Sequence, residues 1–218
     1  MKRTERHEPP ATTPAEELSG PTRPRRPRDF DASYADTPPW DIGRPQPAFL
    51  ELAEAGAIRG RVLDVGCGTG EHALMAASRG LEATGIDSAP AAIALAQAKA
   101  RDRGLTVRFL VHDALQLASL GRQFDVVLDC GLFHVLDDDD RRTFVENLRA
   151  VIQPGGRYFM LCFSDRQPGS FGPRRITRDE IEASFGKGWQ VDSIEPAKLD
   201  SKMGPDGILG WLARITRT

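Results

Sequence analysis

Val62-Leu63-Asp64-Val65 is a run of strand-forming residues that passes directly into Gly66-Cys67-Gly68-Thr69-Gly70, with glycine at every second position. Helix formers follow from Glu71 to Ser78. A strand that ends in such a loop and then opens a helix brings backbone close to a ligand, because glycine has no Cβ to hold it away. The new helix also aims free N–H groups at the same place. The rest of the chain reads as support for a ligand bound there.

Further strands are predicted over 82–87, 106–111, 124–130 and 157–163. Helical stretches lie between them, over about 70–79, 89–103, 115–119 and 138–152, and Pro154-Gly155-Gly156 ends the last one. Such alternation makes a parallel sheet with helices on both faces. Before it, Phe49, Leu52, Ala53 and Gly56 recur at helical spacing after Pro45-Gln46-Pro47. After it, Thr177-Arg178-Asp179-Glu180 has the form of a capping box, which starts a helix over 178–185. Two late strands, 189–195 and 209–216, have only a loop, 198–207, between them, so they read as an antiparallel pair. The fold class is α/β: a Rossmann-like, doubly wound, mostly parallel seven-stranded sheet with an antiparallel last strand. The loops 165–176 and 198–207 are expected to shape a second pocket.

At 218 residues the chain makes one domain. Residues 1–28 are rich in Pro, Arg, Thr and Glu, and Leu18 is their one large aliphatic residue after Met1. A segment of that kind cannot offset its ordering entropy, so it is expected to be a disordered, solvated leader. The folded domain is then 29–218, with 29–57 as an N-terminal cap segment and helix. A net charge of −2 gives no basic field for nucleic acid. No apolar run approaches the roughly 18 residues of a membrane span. Three widely spaced cysteines, Cys67, Cys130 and Cys162, argue for reduced thiols and a cytoplasmic protein, monomer or homodimer, rather than a disulfide scaffold.

The glycine loop leaves two ligands open. From Gly68 the relaxed dinucleotide pattern G-x-G-x-x-A ends at Ala73, with Asp87 near the offset of a ribose-binding acid. That would suit an NAD(P)-dependent oxidoreductase. The other pattern is an acid in the strand, Asp64, followed by Gly66, Gly68 and Gly70. It resembles the first motif of class I S-adenosylmethionine-dependent methyltransferases. Gly85-Ile86-Asp87, His112-Asp113-Ala114, Phe124 to Asp129, and Pro154-Gly155-Gly156 resemble the later motifs of that family, over roughly 40–218. The resemblance implies S-adenosylmethionine as cofactor, with S-adenosylhomocysteine as product. It places the amino-acid part against Asp64, Gly66, Cys67, Gly68 and Gly70. The ribose would lie on Asp87 beside Ser88, and the adenine near Asp113 and Ala114, with Asp129 ending the fourth strand. No metal ligand set is evident; Asp137 to Asp140 read as helix N-terminal charges.

No Asn-Pro-Pro-Tyr follows the fourth strand, which argues against adenine or glutamine amides as acceptors. Phe133 and His134 stand there instead, facing the acceptor, and His134 is the candidate general base because its ordinary pKa is near 6.5. Cys130 reads as core. Pro38 to Gln46 resembles the segment before the core in small bacterial thiopurine and tellurite-resistance methyltransferases, and most of all in actinobacterial enzymes that methylate heterocyclic toxins and hydroxyquinolones. In that reading Tyr34 and Trp40 are flat walls for an aromatic ring and Arg44 reaches a carboxylate. The implied reaction moves a methyl group to O or N of a small aromatic or heterocyclic acceptor. A sulfur acceptor of thiopurine or chalcogen type stays open.

Overall fold

The computed structural model describes residues 27–218. The leader expected over 1–28 therefore lies outside the described residues up to 26, and its last two positions begin a helix, α1 (Pro27–Ser33). Next comes α2 (Pro47–Glu54), opened by proline, whose missing N–H costs nothing in a first turn. The alternating part follows: β1 (Arg61–Val65), α3 (Glu71–Ser78), β2 (Glu82–Asp87), α4 (Pro90–Asp102), β3 (Arg108–Val111), β4 (Phe124–Cys130), α5 (Asp138–Val151) and β5 (Ile152–Phe163). Two 3-10 turns, Ala114–Leu120 and Phe133–Val135, flank β4. The chain closes with α6 (Arg178–Ser184), β6 (Trp189–Ser201) and β7 (Gly204–Arg217).

The seven strands lie in the order β3-β2-β1-β4-β5-β7-β6. The first five pair in parallel, and β7 runs antiparallel to both β5 and β6. The winding reverses between β1 and β4, and in such sheets the crevice for a ligand opens beyond the carboxyl ends of those strands. Alternate residues feed two cores. Leu63, Val65, Ile86 and Val127 pack against Phe144, Leu148 and Val151 of α5 and Ile181 of α6. Val62, Ala83, Val126 and Leu128 pack against α2, α3 and α4. The helices thus cover both faces, with period-two burial in the strands matching period-3.6 burial in the helices.

The capping box is present: Glu180 N donates to Thr177 Oγ1 at 3.1 Å, and Thr177 N donates to Glu180 Oε2 at 2.8 Å. Asp137 caps α5 by accepting from Asp140 N at 2.8 Å. Two expectations change. β5 starts at Ile152, five residues earlier than the sequence reading, because Pro154-Gly155-Gly156 is an irregularity carried inside the strand: pairing jumps from Phe124↔Ile152 to Val126↔Arg157. The stretch 198–207 is mostly strand. β6 and β7 continue pairing to Ser201↔Gly204, and Gly207, at φ 68°, takes up a register shift there. The extension is held from outside: Lys202 N donates to Pro39 O at 2.9 Å, Asp200 N to Gln46 Oε1 at 2.7 Å, and Gln46 Nε2 to Asp200 O at 3.0 Å.

Candidate active site

All three glycines of the loop have positive φ: Gly66 65°, Gly68 52° and Gly70 85°. Successive left-handed residues explain the alternation, since other L residues enter that region at a cost. The glycines face different things. A Cβ on Gly70 would meet Phe109 Cζ at 2.6 Å, so that glycine serves helix–sheet packing and not a ligand. A Cβ on Gly66 would meet Leu132 at 3.2 Å. A Cβ on Gly68 would lie 2.8 Å from Tyr34 Oη, on the crevice side. Cys67 turns its buried thiol inward and joins the loop to β2 through its backbone, Cys67 N donating to Ile86 O at 2.8 Å.

Asp87 organises the rim. Its Oδ2 accepts from Gly68 N at 2.9 Å and its Oδ1 from Ala89 N at 2.9 Å. One carboxylate thus fixes the glycine loop and the start of α4, and each oxygen keeps a second lone pair. Ser88 follows it, half-buried. Asp64 is one residue short of the end of β1 and 1% exposed. Its Oδ2 accepts from Ala73 N at 3.1 Å, in the first turn of α3. Burial raises its pKa to about 7, partly offset by Ala73 N–H, with Asp87 and Asp129 pushing the same way as burial. Burial also raises Asp87. This half of the rim is strongly anionic and would be relieved by a cation.

Three positions do not fit the sequence reading. Asp129 is fully buried on the opposite face of the sheet from Asp64, because Val65, not Asp64, pairs with it across β1 and β4. It accepts from Tyr158 Oη at 2.6 Å, Leu132 N at 2.8 Å and Phe133 N at 3.2 Å, so it builds the turn after β4 instead of lining the rim with Asp64. Phe133 is fully buried, stacked at 6.0 Å on Phe185 and under Arg141, so it is core and not an acceptor wall. Arg44 is paired with Asp200 at 2.5 Å, a link between cap and hairpin. With side chains 54% and 32% exposed, that pair is worth at most about 1 kcal/mol. Arg44→Ala is expected to lower the melting temperature slightly and to leave acceptor KM within about twofold; a large rise in KM would restore its contact with the acceptor.

His134 also differs from a base. It is buried, and Phe163 N donates to its Nδ1 at 3.0 Å. A ring nitrogen that accepts is unprotonated, so the neutral ring carries its proton on Nε2 and presents a donor. Burial lowers its pKa to about 3, with Arg175 and Arg141 adding to the effect. Asp113 is exposed beyond β3 and caps the 3-10 turn that Ala114 opens, accepting from Leu115 N at 2.8 Å.

The cap segment lies over the crevice. Asp31 Oδ1 accepts from Ala91 N at 2.9 Å, which seats α1 on the start of α4. Trp40 Nε1 donates to Tyr34 Oη at 3.2 Å, and the two rings meet edge to face at 6.4 Å. Burial raises the Tyr34 phenol above its ordinary range, and Asp87 adds to it.

Several functional neighbours escaped the sequence reading. His72 is buried, accepts from Gln46 N at 3.2 Å through Nε2, and holds Nδ1 3.9 Å from Asp64 Oδ1, joining cap to rim. Glu71 takes Arg103 in a two-pronged pair at 2.8 and 2.9 Å and Lys99 at 2.8 Å, and Lys99 also donates to Thr69 Oγ1 at 2.7 Å. The i, i+4 spacing of Lys99 and Arg103 was a readable sign of that shared face. Among the described residues no group of three His, Cys, Asp or Glu is placed to hold a metal ion, and no helix is long and apolar enough to cross a membrane.

Comparison with known proteins finds methyltransferases. Residues 62–156 match the model of a family described as methyltransferase domain. The 2-heptyl-1-hydroxyquinolin-4(1H)-one methyltransferase of Mycobacteroides abscessus is 38% identical over 181 residues, 78% of this chain and 80% of that protein. A solved structure concerned with conversion of a disulfide bond into a thioacetal group during echinomycin biosynthesis superposes with a TM-score of 0.81. It is 36% identical and covers 88% of this chain and 93% of its own. The magnesium protoporphyrin IX methyltransferase of Synechocystis PCC 6803 with bound S-adenosylmethionine shares the fold, with a TM-score of 0.61 and 19% identity over 78% of this chain and 76% of its own.

Proposed function

The chain belongs to the class I S-adenosylmethionine-dependent methyltransferases, and we propose that its acceptor is a flat heteroaromatic molecule methylated on oxygen or nitrogen. The cofactor replaces the dinucleotide alternative, and the residues fit it. Asp87 offers a ribose diol two acceptor oxygens whose positions are already fixed by Gly68 and Ala89. Asp64 is a buried acid held above its ordinary pKa, which a neighbouring ammonium would bring back down. A pyrophosphate would instead meet that carboxylate at the start of α3. When bound, the sulfonium supplies an activated methyl group.

What remains for the chain is to hold the acceptor and exclude water. The observation that carries the acceptor assignment is the aromatic cap. Tyr34 places its hydroxyl over Gly68, and Trp40 stands against it edge to face. Two such surfaces favour a planar guest over a branched one. The likeness to a hydroxyquinolone methyltransferase points the same way. The cap lies outside the matched family segment, 62–156. A sulfur acceptor is the second reading, favoured by the likeness to the echinomycin-related structure.

The test is incubation with S-adenosylmethionine and a panel of hydroxyquinolones, phenols, N-heterocycles, aromatic thiols and aliphatic alcohols, read by mass spectrometry. Flat heteroaromatic O–H or N–H compounds are expected to gain the mass of one methylene. Transfer confined to thiols establishes the second reading. Transfer to aliphatic acceptors only, or to none by a protein that binds S-adenosylhomocysteine, removes both.

A further inference from the structure

Beyond β4 and β5, two groups share one phenyl ring. His134 meets Phe163 edge to face at 4.7 Å, and the Arg175 guanidinium lies over the same ring at 5.3 Å. Arg175 spends its donors on backbone: Nε on Gln167 O at 3.3 Å, Nη1 on Pro173 O at 2.6 Å, and Nη2 on Gly169 O at 3.1 Å and Phe171 O at 2.8 Å. Those bonds shape the loop 165–176, and the charge has no carboxylate partner among the described residues. Arg174 next to it differs, since it pairs with Asp138 and Glu180.

Nδ1 of His134 is closed by Phe163 N–H, so Nε2 carries the proton. Nε2 has no acceptor among the described residues. It is not sealed either, for Arg217 Nε is the one described side-chain polar atom that is both buried from solvent and unbonded. The other charged or titratable groups around this point are of both signs. Arg141 of α5 adds positive charge, although acids lie 3.7 Å from it. Asp129 is consumed by Tyr158, Leu132 and Phe133. Asp165 accepts from the Trp211 indole at 3.1 Å. The thiols of Cys130 and Cys162 are pushed up by burial and stay neutral.

A neutral donor and a cation that both pack on the Phe163 ring make a place for negative charge. We propose that His134 Nε2–H and the charge of Arg175 hold the acceptor atom as its anion, so that the enzyme selects acceptors that lose their proton to solvent before transfer. This rests on the methyl-acceptor reading above. In the transfer, the acceptor anion's lone pair forms the new bond to the methyl carbon, the methyl–sulfur bonding pair passes to sulfur, and no proton moves in that step. His134 therefore takes no proton. It lowers the energy of the ionised acceptor.

The experiment uses 4-nitrophenol, whose visible absorbance reports its ionisation, bound to the full chain with saturating S-adenosylhomocysteine. The bound phenol is expected to ionise at least about tenfold more readily than free phenol, a pKa lower by about one unit. His134→Phe and Arg175→Gln should each erase most of that shift. His134→Gln should retain it, because one amide can accept from Phe163 N–H and donate onward. Unchanged S-adenosylhomocysteine affinity identifies variants that are folded. A bound phenol with unchanged or raised pKa, or a folded His134→Phe protein that keeps the shift, overturns the anion cradle and leaves the aromatic-acceptor reading standing. If neither nitrophenol nor any aromatic of the panel binds a protein that holds S-adenosylhomocysteine, the acceptor reading falls and this inference falls with it.

Discussion

Asp64→Asn is expected to weaken S-adenosylhomocysteine binding at least tenfold and yet to make the ligand-free protein harder to unfold above pH 7. The two effects have one cause. Asp64 is almost completely buried, and its pKa is raised from 3.8 to about 7. An acid raised on folding contributes stability that is fully present below its unfolded pKa, about 3.8, and is lost as pH rises through the folded value near 7. At pH 8 the fold therefore bears a buried charge that the unfolded chain would solvate. A gap of about three units at roughly 1.4 kcal/mol each puts that cost on the order of a few kcal/mol. Asparagine removes the charge and keeps an oxygen for Ala73 N–H. The melting temperature of the wild type should then fall between about pH 4 and 7 more than that of the variant. Cofactor affinity should rise over the upper part of that range, because binding an ammonium favours the ionised form. Melting curves and calorimetry across pH check both. A variant less stable than wild type at pH 8, or one that binds S-adenosylhomocysteine as well, would contradict the assignment.

Asp87→Ala should cost more than tenfold in cofactor affinity, for a different reason. The carboxylate holds the backbone that the ligand touches, through Gly68 N and Ala89 N, as well as offering oxygens to the ribose. Removing it leaves two N–H groups without their partner, each worth about 1 kcal/mol net. Part of that is returned, since burial already disfavours the charged form. A modest loss of melting temperature with a large loss of binding is the expected pattern. Asp87→Asn separates the roles: one oxygen remains to organise backbone, but the diol loses an all-acceptor partner. If Asp87→Asn and Asp87→Ala both bind S-adenosylhomocysteine like wild type, the ribose assignment is wrong.

Much of this architecture was legible from the chain alone. β2 and β4 fall on 82–87 and 124–130 as read, because turn residues bound them on both sides. Boundaries failed where tertiary contacts decide them. The turn signals in 198–207 are real, yet the hairpin runs on because Pro39 and Gln46 dock against its tip. Side-chain roles failed for a related reason. Spacing placed Asp64 and Asp129 at strand ends, but only register shows that they point to opposite faces. Phe133 and Arg44 have the right chemistry for a pocket; stacking on Phe185 and pairing with Asp200 direct them elsewhere. For His134 a backbone N–H chooses the tautomer, and no sequence rule names that donor.

The junction of Pro39, Arg44 and Gln46 with Asp200 to Lys202 ties together stretches more than 150 positions apart. In chain order the cap segment comes long before the β6–β7 hairpin that it is tied to. The sheet between them can assemble first, and the cap is fixed only once that hairpin has folded. The same link joins the opening and closing stretches of the fold into one inheritable unit: a roof exchanged between relatives must travel with its hairpin tip, while the nucleoside-binding middle stays as it is.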